Sequence, residues 1–345
     1  MSMSIWKSSV WKVAAVGGLM SVTALAQAET IRFAHVDPDD WQNSKKGAAA
    51  AMFKAAVEAK SSDLTVELYP AGALGDEDET IQQAMDGMTQ VVMVSGAMSK
   101  ICPAAGVLDI PYMFDSAPQA WKVLDGQFGD ELAQHCLEQT GLRTLAYGET
   151  GFRNFTNSDH PIKTPADMKG LKFRVQDIPL YVEMVKGLGG EPAPIPWSET
   201  PTALSTGVVD GQENPVSTIY NNNLHELQQY MTLDRHIYAT DFLLINDQYF
   251  QSLSPEDQAI VEEAGKLAGN MGRSIQEFTA AKGLKAVQEA GMEVYTPTPD
   301  ELDQFRNAAQ PPVIEWLKSD LGDEANWIDK LQQNVDQVRS QAQSQ

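Results

Sequence analysis

Two side chains placed among strand-like segments could bind an acid. The segment LKFRV carries Arg174 between apolar residues, and Asn214 lies in VDGQENP, which follows an apolar lead. An arginine inside a buried strand needs acceptors for its five donors. An internal carboxylate is one solution. The other is a bidentate seat for a ligand carboxylate or phosphate, with Asn214 donating an amide hydrogen bond beside it.

Arginine is informative in this chain because only eight occur in 345 residues. Arg153 follows a Gly-Phe turn in GFRNFTN and is a second candidate cation near a strand. The acids Asp210 and Glu213 of VDGQENP are expected to hold the backbone and hinge rather than the ligand. The polar run that ends VDGQENP could be a solvated turn, or the end of a strand that presents fixed polar side chains to a ligand.

Enzyme motifs are missing from the sequence. It contains no G-x-S-x-G, P-loop or dinucleotide-binding motif, and its S-x-x-K spacings, Ser4–Lys7 and Ser9–Lys12, lie in the leader. A secreted hydrolase is the competing class, but no residue pattern proposes its nucleophile and base. Neither a metal nor a cofactor is expected, since the acidic run GDEDET lacks the glycine of a calcium loop and the histidines form no ligand pair.

Residues 1–28 have the pattern of a cleaved secretory signal peptide. Lys7 and Lys12 precede an apolar run, and Ala26-Gln27-Ala28 forms a small-x-small cleavage site. An uncleaved anchor is the alternative, although the run is too short for a membrane span. We therefore expect an exported, soluble protein, in which a disulfide between Cys102 and Cys136 is possible but not determined by sequence.

The charge of the chain excludes a polyanionic partner. The formal net charge is −22, and it becomes more negative when the two leader lysines are removed. Such a field repels nucleic acid, so any attraction of an anionic ligand must be local.

Hydrophobic periodicity predicts alternating strands and helices and thus an α/β fold with ligands at the strand ends. Predicted strands include residues 31–36, 64–69, 91–95, 142–148, 242–245 and 292–295. Predicted helices include 45–60, 120–139, 255–289 and 300–343, with Pro311 and Pro312 interrupting the last one. No Gly/Ser tether separates the two halves, which favours a hinged body with a cleft.

Several longer segments then carry a family resemblance. They are LYPAGALGDEDETIQQAMDG, DIPYMF, GFRNFTN, PIKTPADMKGLKFRV, LGGEPAPIPWSETPTAL, TGVVDGQENP and HELQQY, in this order. On these segments essentially the whole mature chain resembles the DctP-like substrate-binding proteins of tripartite ATP-independent periplasmic (TRAP) transporters.

The resemblance implies a two-lobed periplasmic-binding-protein fold with crossing strands, a central cleft and a long helix that spans both lobes. We expect lobe I to comprise residues 29–150 and 240–279, and lobe II to comprise 151–239 and 280–305. Residues 306–345 are expected to form helices that pack across the lobes.

The resemblance also implies roles for individual residues. Arg174 matches the carboxylate-binding arginine, Asn214 its amide partner and Arg153 a second cationic position. Trp197 stands where members place an aromatic ring against the ligand, with core packing as the alternative. Positions that vary with substrate correspond to Ser95, Asp241, His35 and Asp37. The family pattern is broken at Thr200–Pro201, where many relatives carry an aromatic residue, and Ser95 replaces the glutamate of sialate binders.

The implied function is capture of a solute outside the cytoplasm, without chemistry and without ATP. The protein would be a monomer that delivers a small organic acid to the small and large membrane subunits of a permease. A sugar acid, either a uronate or an aldonate, is the expected ligand. A C4-dicarboxylate, another hydroxy acid or an ectoine-like zwitterion remain alternatives, and an ethanolamine-like cation is a remote one.

Overall fold

The structure is a computed structural model that describes residues 29–343, so the predicted signal peptide lies outside the described residues. Within this range no helix has the length and apolar character needed to cross a membrane.

A single mixed sheet organises the described part of the chain. Its nine strands are β1 Glu29–Ala34, β2 Leu64–Tyr69, β3 Val91–Val94, β4 Leu142–Asn157, β5 Lys172–Val175, β6 Glu191–Pro194, β7 Gly211–Pro215, β8 Tyr230–Asn246 and β9 Glu293–Tyr295. The strand order is β2-β1-β3-β8-β4-β7-β5-β6, and β9 pairs with β8. We call the β1–β3 end the first lobe and the β5–β7 end the second lobe.

Strands β4 and β8 connect the two lobes. They pair antiparallel along their whole length, from Leu142 opposite Asn246 to Asn157 opposite Tyr230. Residues 242–245 of β8 pair with β3 in the first lobe, and residues 153–157 of β4 pair with β7 in the second. This arrangement confirms the expected two-lobed fold with crossing strands.

The pairing of β4 with β8 is irregular where the strands pass between the lobes. Its register shifts between Thr144 and Ala146, between Glu149 and Gly151 and between Arg153 and Phe155, and the middle shift includes Gly151. Gly151 has a φ of 106°, and a Cβ built there would lie 2.2 Å from the side-chain nitrogen of Gln276. Only glycine combines that backbone conformation with so close an approach. The irregularity lies one residue from the lobe boundary predicted at residue 150.

Twelve helices cover this sheet in the described range. They are α1 Lys45–Glu58, α2 Glu77–Met85, α3 Met98–Ile101, α4 Ala117–Leu124, α5 Gln127–Thr140, α6 Pro179–Gly187, α7 Thr200–Ser205, α8 Val216–Asn221, α9 Asp247–Ser252, α10 Pro255–Glu289, α11 Pro299–Leu321 and α12 Asn326–Gln343. The bounds of α10 are those predicted, because Ser254 caps the helix by accepting from the backbone N–H of Asp257 and Pro255 occupies the first position.

Helix α10 is the long helix that contacts both lobes. A Cβ built at its Gly269 would meet Ala146 of β4 near the first lobe, and one at Gly283 would meet Tyr220 of α8 in the second. Helices α11 and α12 contribute to a core that also contains Val92 of β3 and Phe173 of β5. The core that includes these helices thus contains residues of both lobes, while the packing of residues 306–345 across the lobes and the domain boundaries stay predictions.

Several sequence predictions differ from the structure. The helical stretch expected over 300–343 is divided into α11 and α12 at residues 322–325, and the strand expected over 242–245 is the end of the longer β8. The helix expected over 120–139 is two helices, because the chain leaves the helical conformation at Gly126. The strand expected to end at 148 continues to 157, since polar residues can occupy a strand that crosses the molecule. Pro311 and Pro312 do not interrupt α11 but lie inside it. Pro312 packs directly against Gly187 of α6, and this tertiary contact outweighs the local preference.

Cys102 and Cys136 form a disulfide, which resolves the pairing that the sequence left open. The bond links the end of α3 to α5 across 34 residues, and both cysteines are buried in the largest apolar core.

Removing this disulfide should destabilise the fold. The double variant Cys102→Ala/Cys136→Ala is expected to lose about 2–4 kcal/mol of unfolding free energy, because the unfolded chain regains the freedom of a closed loop. Urea unfolding followed by circular dichroism measures this. Reductant should lower the unfolding midpoint of the parent protein and leave that of the variant unchanged. Equal midpoints for the parent with and without reductant would contradict a stabilising bond.

Candidate functional site

A cleft lies between the lobes where β4 and β8 cross. It encloses about 770 Å³ between its lining atoms, counting space open to solvent. Five cations line the cleft, namely Lys45, Lys46, Lys100, Arg153 and Arg174. Five acids share the wall with them, namely Asp37, Asp76, Glu77, Asp78 and Asp177.

Arg174 is the buried cation that lacks a counter-ion. Strand β5, held between β6 and β7, leaves this side chain 2% exposed. Its Nε donates to the carbonyl of Ile195 at 2.9 Å, and its guanidinium lies 5.7 Å from the Trp197 ring centre. No described carboxylate lies within ion-pair distance. Burial accordingly lowers the pKa of Arg174 to about 10, an effect that Glu213 opposes and Arg153 reinforces.

Arg153 has the carboxylate that Arg174 lacks. Its guanidinium donates from Nη2 to Oε1 of Glu213 at 2.7 Å, and its Nε donates to Oε2 of the same carboxylate. Burial acts to lower the pKa of Arg153, but the Glu213 charge outweighs it and the net shift is upward. Glu213 is not among the residues that line the cleft, and it holds the Arg153 side chain, whereas the sequence prediction gave it the backbone and hinge. Asp210 bonds the backbone N–H of Lys172 at 2.8 Å, as predicted.

A buried network extends behind this ion pair. The imidazole of His236 lies 3.1 Å from Glu213 Oε2 through Nε2 and 2.9 Å from Asp234 Oδ2 through Nδ1. Burial opposes charge on the ring, but the two carboxylates raise the pKa of His236 to about 9. His236 is therefore an imidazolium at neutral pH, and it fixes the Glu213 carboxylate toward Arg153.

Asn214 and Trp197 complete the second-lobe wall. The side-chain nitrogen of Asn214 donates to Gln212 Oε1 at 2.6 Å, which leaves its second N–H and its oxygen for the cleft. Trp197 is half-buried, lines the cleft and packs against the apolar cluster that contains Leu204 and Ile219. The position of Trp197 is therefore compatible both with contact to a ligand and with core packing.

The first-lobe wall consists of paired charges. Glu77, at the first position of α2, accepts hydrogen bonds from Lys46 Nζ at 2.6 Å and from the Ser95 backbone N–H at 3.0 Å. The Ser95 hydroxyl also donates to Glu77, at 3.0 Å, so this predicted pocket residue lines the cleft with its donor engaged. Asp37 lines the cleft too and pairs with Lys45 at 3.0 Å.

Two predicted site residues lie behind the wall instead of on it. Asp241 is fully buried, accepts from the Thr150 hydroxyl at 2.6 Å and lies 3.4 Å from Lys46 Nζ. His35 is also buried, and burial lowers its pKa to about 4, although Asp37 acts in the opposite direction. Their contact with ligand stays a prediction, and in the structure Asp241 anchors Lys46.

Lys45, Lys46 and Glu77 are cleft residues that the sequence reasoning did not single out. The two lysines occupy the first turn of α1, where the helix dipole disfavours cations. Two adjacent lysines at a helix N-terminus are unfavourable unless nearby acids or a ligand neutralise them. This unusual placement is the sequence signal that could have identified Lys45 and Lys46 as site residues.

The two lobes touch across the mouth of the cleft. Lys100 of the first lobe lies 3.0 Å from Asp177 of the second, and the Ser198 hydroxyl donates to Asp76 at 2.7 Å. A Cβ built at Gly96 would lie 2.7 Å from Ile178. These contacts define a closed arrangement of the lobes.

The comparisons with known proteins agree with one another. Residues 33–320 match the family described as bacterial extracellular solute-binding protein, family 7 (DctP). The 2,3-diketo-L-gulonate-binding periplasmic protein YiaO of Escherichia coli is 34% identical over 323 residues, which cover 92% of this chain and 94% of that protein.

Solved structures resemble the whole fold. The sugar acid binding protein DctPAm of Advenella mimigardefordensis, in complex with galactonate, superimposes with a TM-score of 0.85 at 32% identity, covering 90% of this chain and 99% of that one. A TRAP periplasmic solute binding protein of Roseobacter denitrificans with bound β-D-glucuronate gives a TM-score of 0.83 at 29% identity, covering 88% and 99%.

Arg153 has a carboxylate partner and Arg174 has none among the described residues. Substitution of the two arginines should therefore lower the free energy of unfolding of the ligand-free protein by different amounts. Arg153→Met leaves Glu213 buried without its main partner and is expected to cost about 3–5 kcal/mol. Arg174→Met removes a charge that has no carboxylate partner and should cost less than about 1 kcal/mol. Urea unfolding of both variants provides the comparison, each serving as control for the other. Equal losses would indicate that a carboxylate does pair with Arg174.

Proposed function

Since the chain belongs to the bacterial extracellular solute-binding proteins of family 7, the TRAP solute-binding proteins, we propose that it captures a sugar acid between its lobes and delivers it to a membrane permease. Members of this family are periplasmic, and TRAP binding proteins work with membrane permeases. For this chain we infer a periplasmic monomer that serves a permease with small and large membrane subunits.

The observation that carries this proposal is the buried guanidinium of Arg174. A buried cation without a counter-ion is costly, and a ligand carboxylate supplies the missing charge together with two parallel acceptors. The free N–H of Asn214 adds a donor to the same carboxylate, and the Trp197 ring flanks it. Arg153, whose charge is neutralised by Glu213, contributes a fixed dipole to the cleft and helps to define its shape.

The choice of a sugar acid rests on the relatives and on the polarity of the cleft. The relatives described above bind 2,3-diketo-L-gulonate, galactonate and glucuronate according to their names. The first-lobe wall offers ammonium and carboxylate groups side by side, which suits hydroxyl groups because each hydroxyl both donates and accepts.

The proposed action is binding and release without chemistry and without a cofactor. Closure about the irregularity of β4 at Glu149–Gly151 brings the two walls onto the ligand and excludes water, which strengthens the charge-assisted contact. The domain boundaries proposed from sequence, with lobe I ending at residue 150 and resuming at 240, place the hinge at this same point.

Arg174 should dominate the affinity. In calorimetry with D-galactonate and D-glucuronate as probes, Arg174→Ala is expected to weaken binding by roughly two to four decades, because truncating one side of a buried charge pair costs about 2–5 kcal/mol. Arg174→Lys should recover only part of this loss, since the planar fork is replaced by a single ammonium. The exposed Lys285→Ala serves as the control. Near-parental affinity of Arg174→Ala for a bound probe would remove Arg174 from the site.

Ligand should also shift the protein toward the closed arrangement, because only that state makes contacts from both lobes. Small-angle scattering with saturating probe is expected to show a smaller radius of gyration. In Gly96→Val the added side chain collides with Ile178 across the cleft, so the decrease should be lost and the affinity reduced. A scattering change in the variant equal to that of the parent would show that closure does not bring these residues together.

A further inference from the structure

We propose that the ligand carries a single carboxylate and a neutral polyhydroxyl remainder, and that the cleft rejects the dicarboxylate of the same carbon skeleton. This inference rests on the proposed function and deepens it, because it names which acids the site accepts. The charges that face the cleft carry the argument.

The described wall offers one cation for a ligand charge. Of the five lining cations, four have a carboxylate within ion-pair distance: Lys45 pairs with Asp37, Lys46 with Glu77, Lys100 with Asp78 and Arg153 with Glu213. Arg174 is the fifth, and the described residues contain no such partner for it. One carboxylate of a ligand can therefore be neutralised in this cleft.

In the first-lobe wall opposite Arg174, both lysines are already paired with acids. Lys46 lies between Glu77, at 2.6 Å, and the buried Asp241, at 3.4 Å. Lys45 beside it is engaged by Asp37. Burial raises the pKa of Asp241, an effect that Lys46 opposes. With Asp241 ionised the wall is negative by one charge, and with Asp241 protonated it is neutral.

The lysine at the mouth of the cleft is also paired with acids. This lysine, Lys100, is shared by Asp78 at 2.8 Å and Asp177 at 3.0 Å. Asp76 lies near them and accepts a hydrogen bond from Ser198. A second ligand carboxylate, whether it pointed to the first-lobe wall or to the mouth, would lose its hydration and meet acids in excess of cations.

Neutral polar groups remain unpartnered in the same cleft. The Thr218 hydroxyl and the side-chain nitrogen of Gln176 are buried and have no hydrogen-bond partner within the described residues, and both residues line the cleft. Buried polar groups of this kind acquire partners when a ligand binds. A hydroxyl group satisfies an uncharged donor or acceptor without adding charge, so the two groups match the polyhydroxyl part of a sugar acid.

Matched pairs of acids test the inference directly. D-galactonate and galactarate share their internal stereocentres and differ in one terminal group, a primary alcohol in the first and a carboxylate in the second. D-gluconate and D-glucarate form a second pair. Calorimetry at physiological ionic strength with the full mature protein should show at least one monoacid binding at least about tenfold more tightly than its diacid.

A variant of the first-lobe wall provides a second test of the inference. Glu77→Gln keeps the shape of the side chain but removes one acid next to Lys46, so the diacid should gain relative to the monoacid and the ratio of dissociation constants should fall by about tenfold. Glu263→Gln, on the exposed surface of α10, is the matched control and should leave the ratio unchanged.

The outcomes separate this inference from the proposed function. It is overturned if neither monoacid binds more tightly than its diacid, if the ratio is unchanged in Glu77→Gln, or if no monoacid tested binds. If only galactarate or D-glucarate binds and Arg174→Ala abolishes that binding, the proposed function stands while the single-carboxylate inference fails. If no organic acid binds, both fail.

Discussion

The buried ion pair between Arg153 and Glu213 determines the character of the whole cleft. Two guanidinium groups, those of Arg153 and Arg174, lie within one lobe, and a single carboxylate lies near both. Its bidentate contact with Arg153, fixed from behind by His236, leaves Arg174 as a cation with vacant donors. The protein thus keeps one positive charge buried and unneutralised, and a ligand that fits must bring the opposite charge.

The sheet connects the two walls of the cleft that surround this charge. Because β4 and β8 pass through both lobes, the two walls of the cleft belong to one continuous hydrogen-bonded structure. We propose that the lobes move about the register shift near Gly151, which is one of three along this pairing and the one at the predicted lobe boundary. Helix α10 packs over this point, and its Gln276 side chain lies where a Cβ of residue 151 would be.

The parts that could be predicted from sequence are those governed by local patterns. The bounds of α10 follow from its cap and first-position proline, and β2 from its alternation. Arg174 stood out because a charge interrupts an apolar strand. The pairing of Lys46 with Glu77 and Asp241 brings together residues from three distant segments, so no local pattern contains it. The same reason applies to the disulfide and to the prolines inside α11, where a contact with α6 decides the outcome.

The contacts at the mouth of the cleft differ physically from those at its base. Lys100 and Asp177 meet where both are partly in water, with side chains 29% and 66% exposed, so dissolved ions screen their attraction. The guanidinium at the base is shielded from the same ions. Salt in the medium is therefore expected to weaken the contact at the mouth more than a contact between a ligand and the guanidinium at the base.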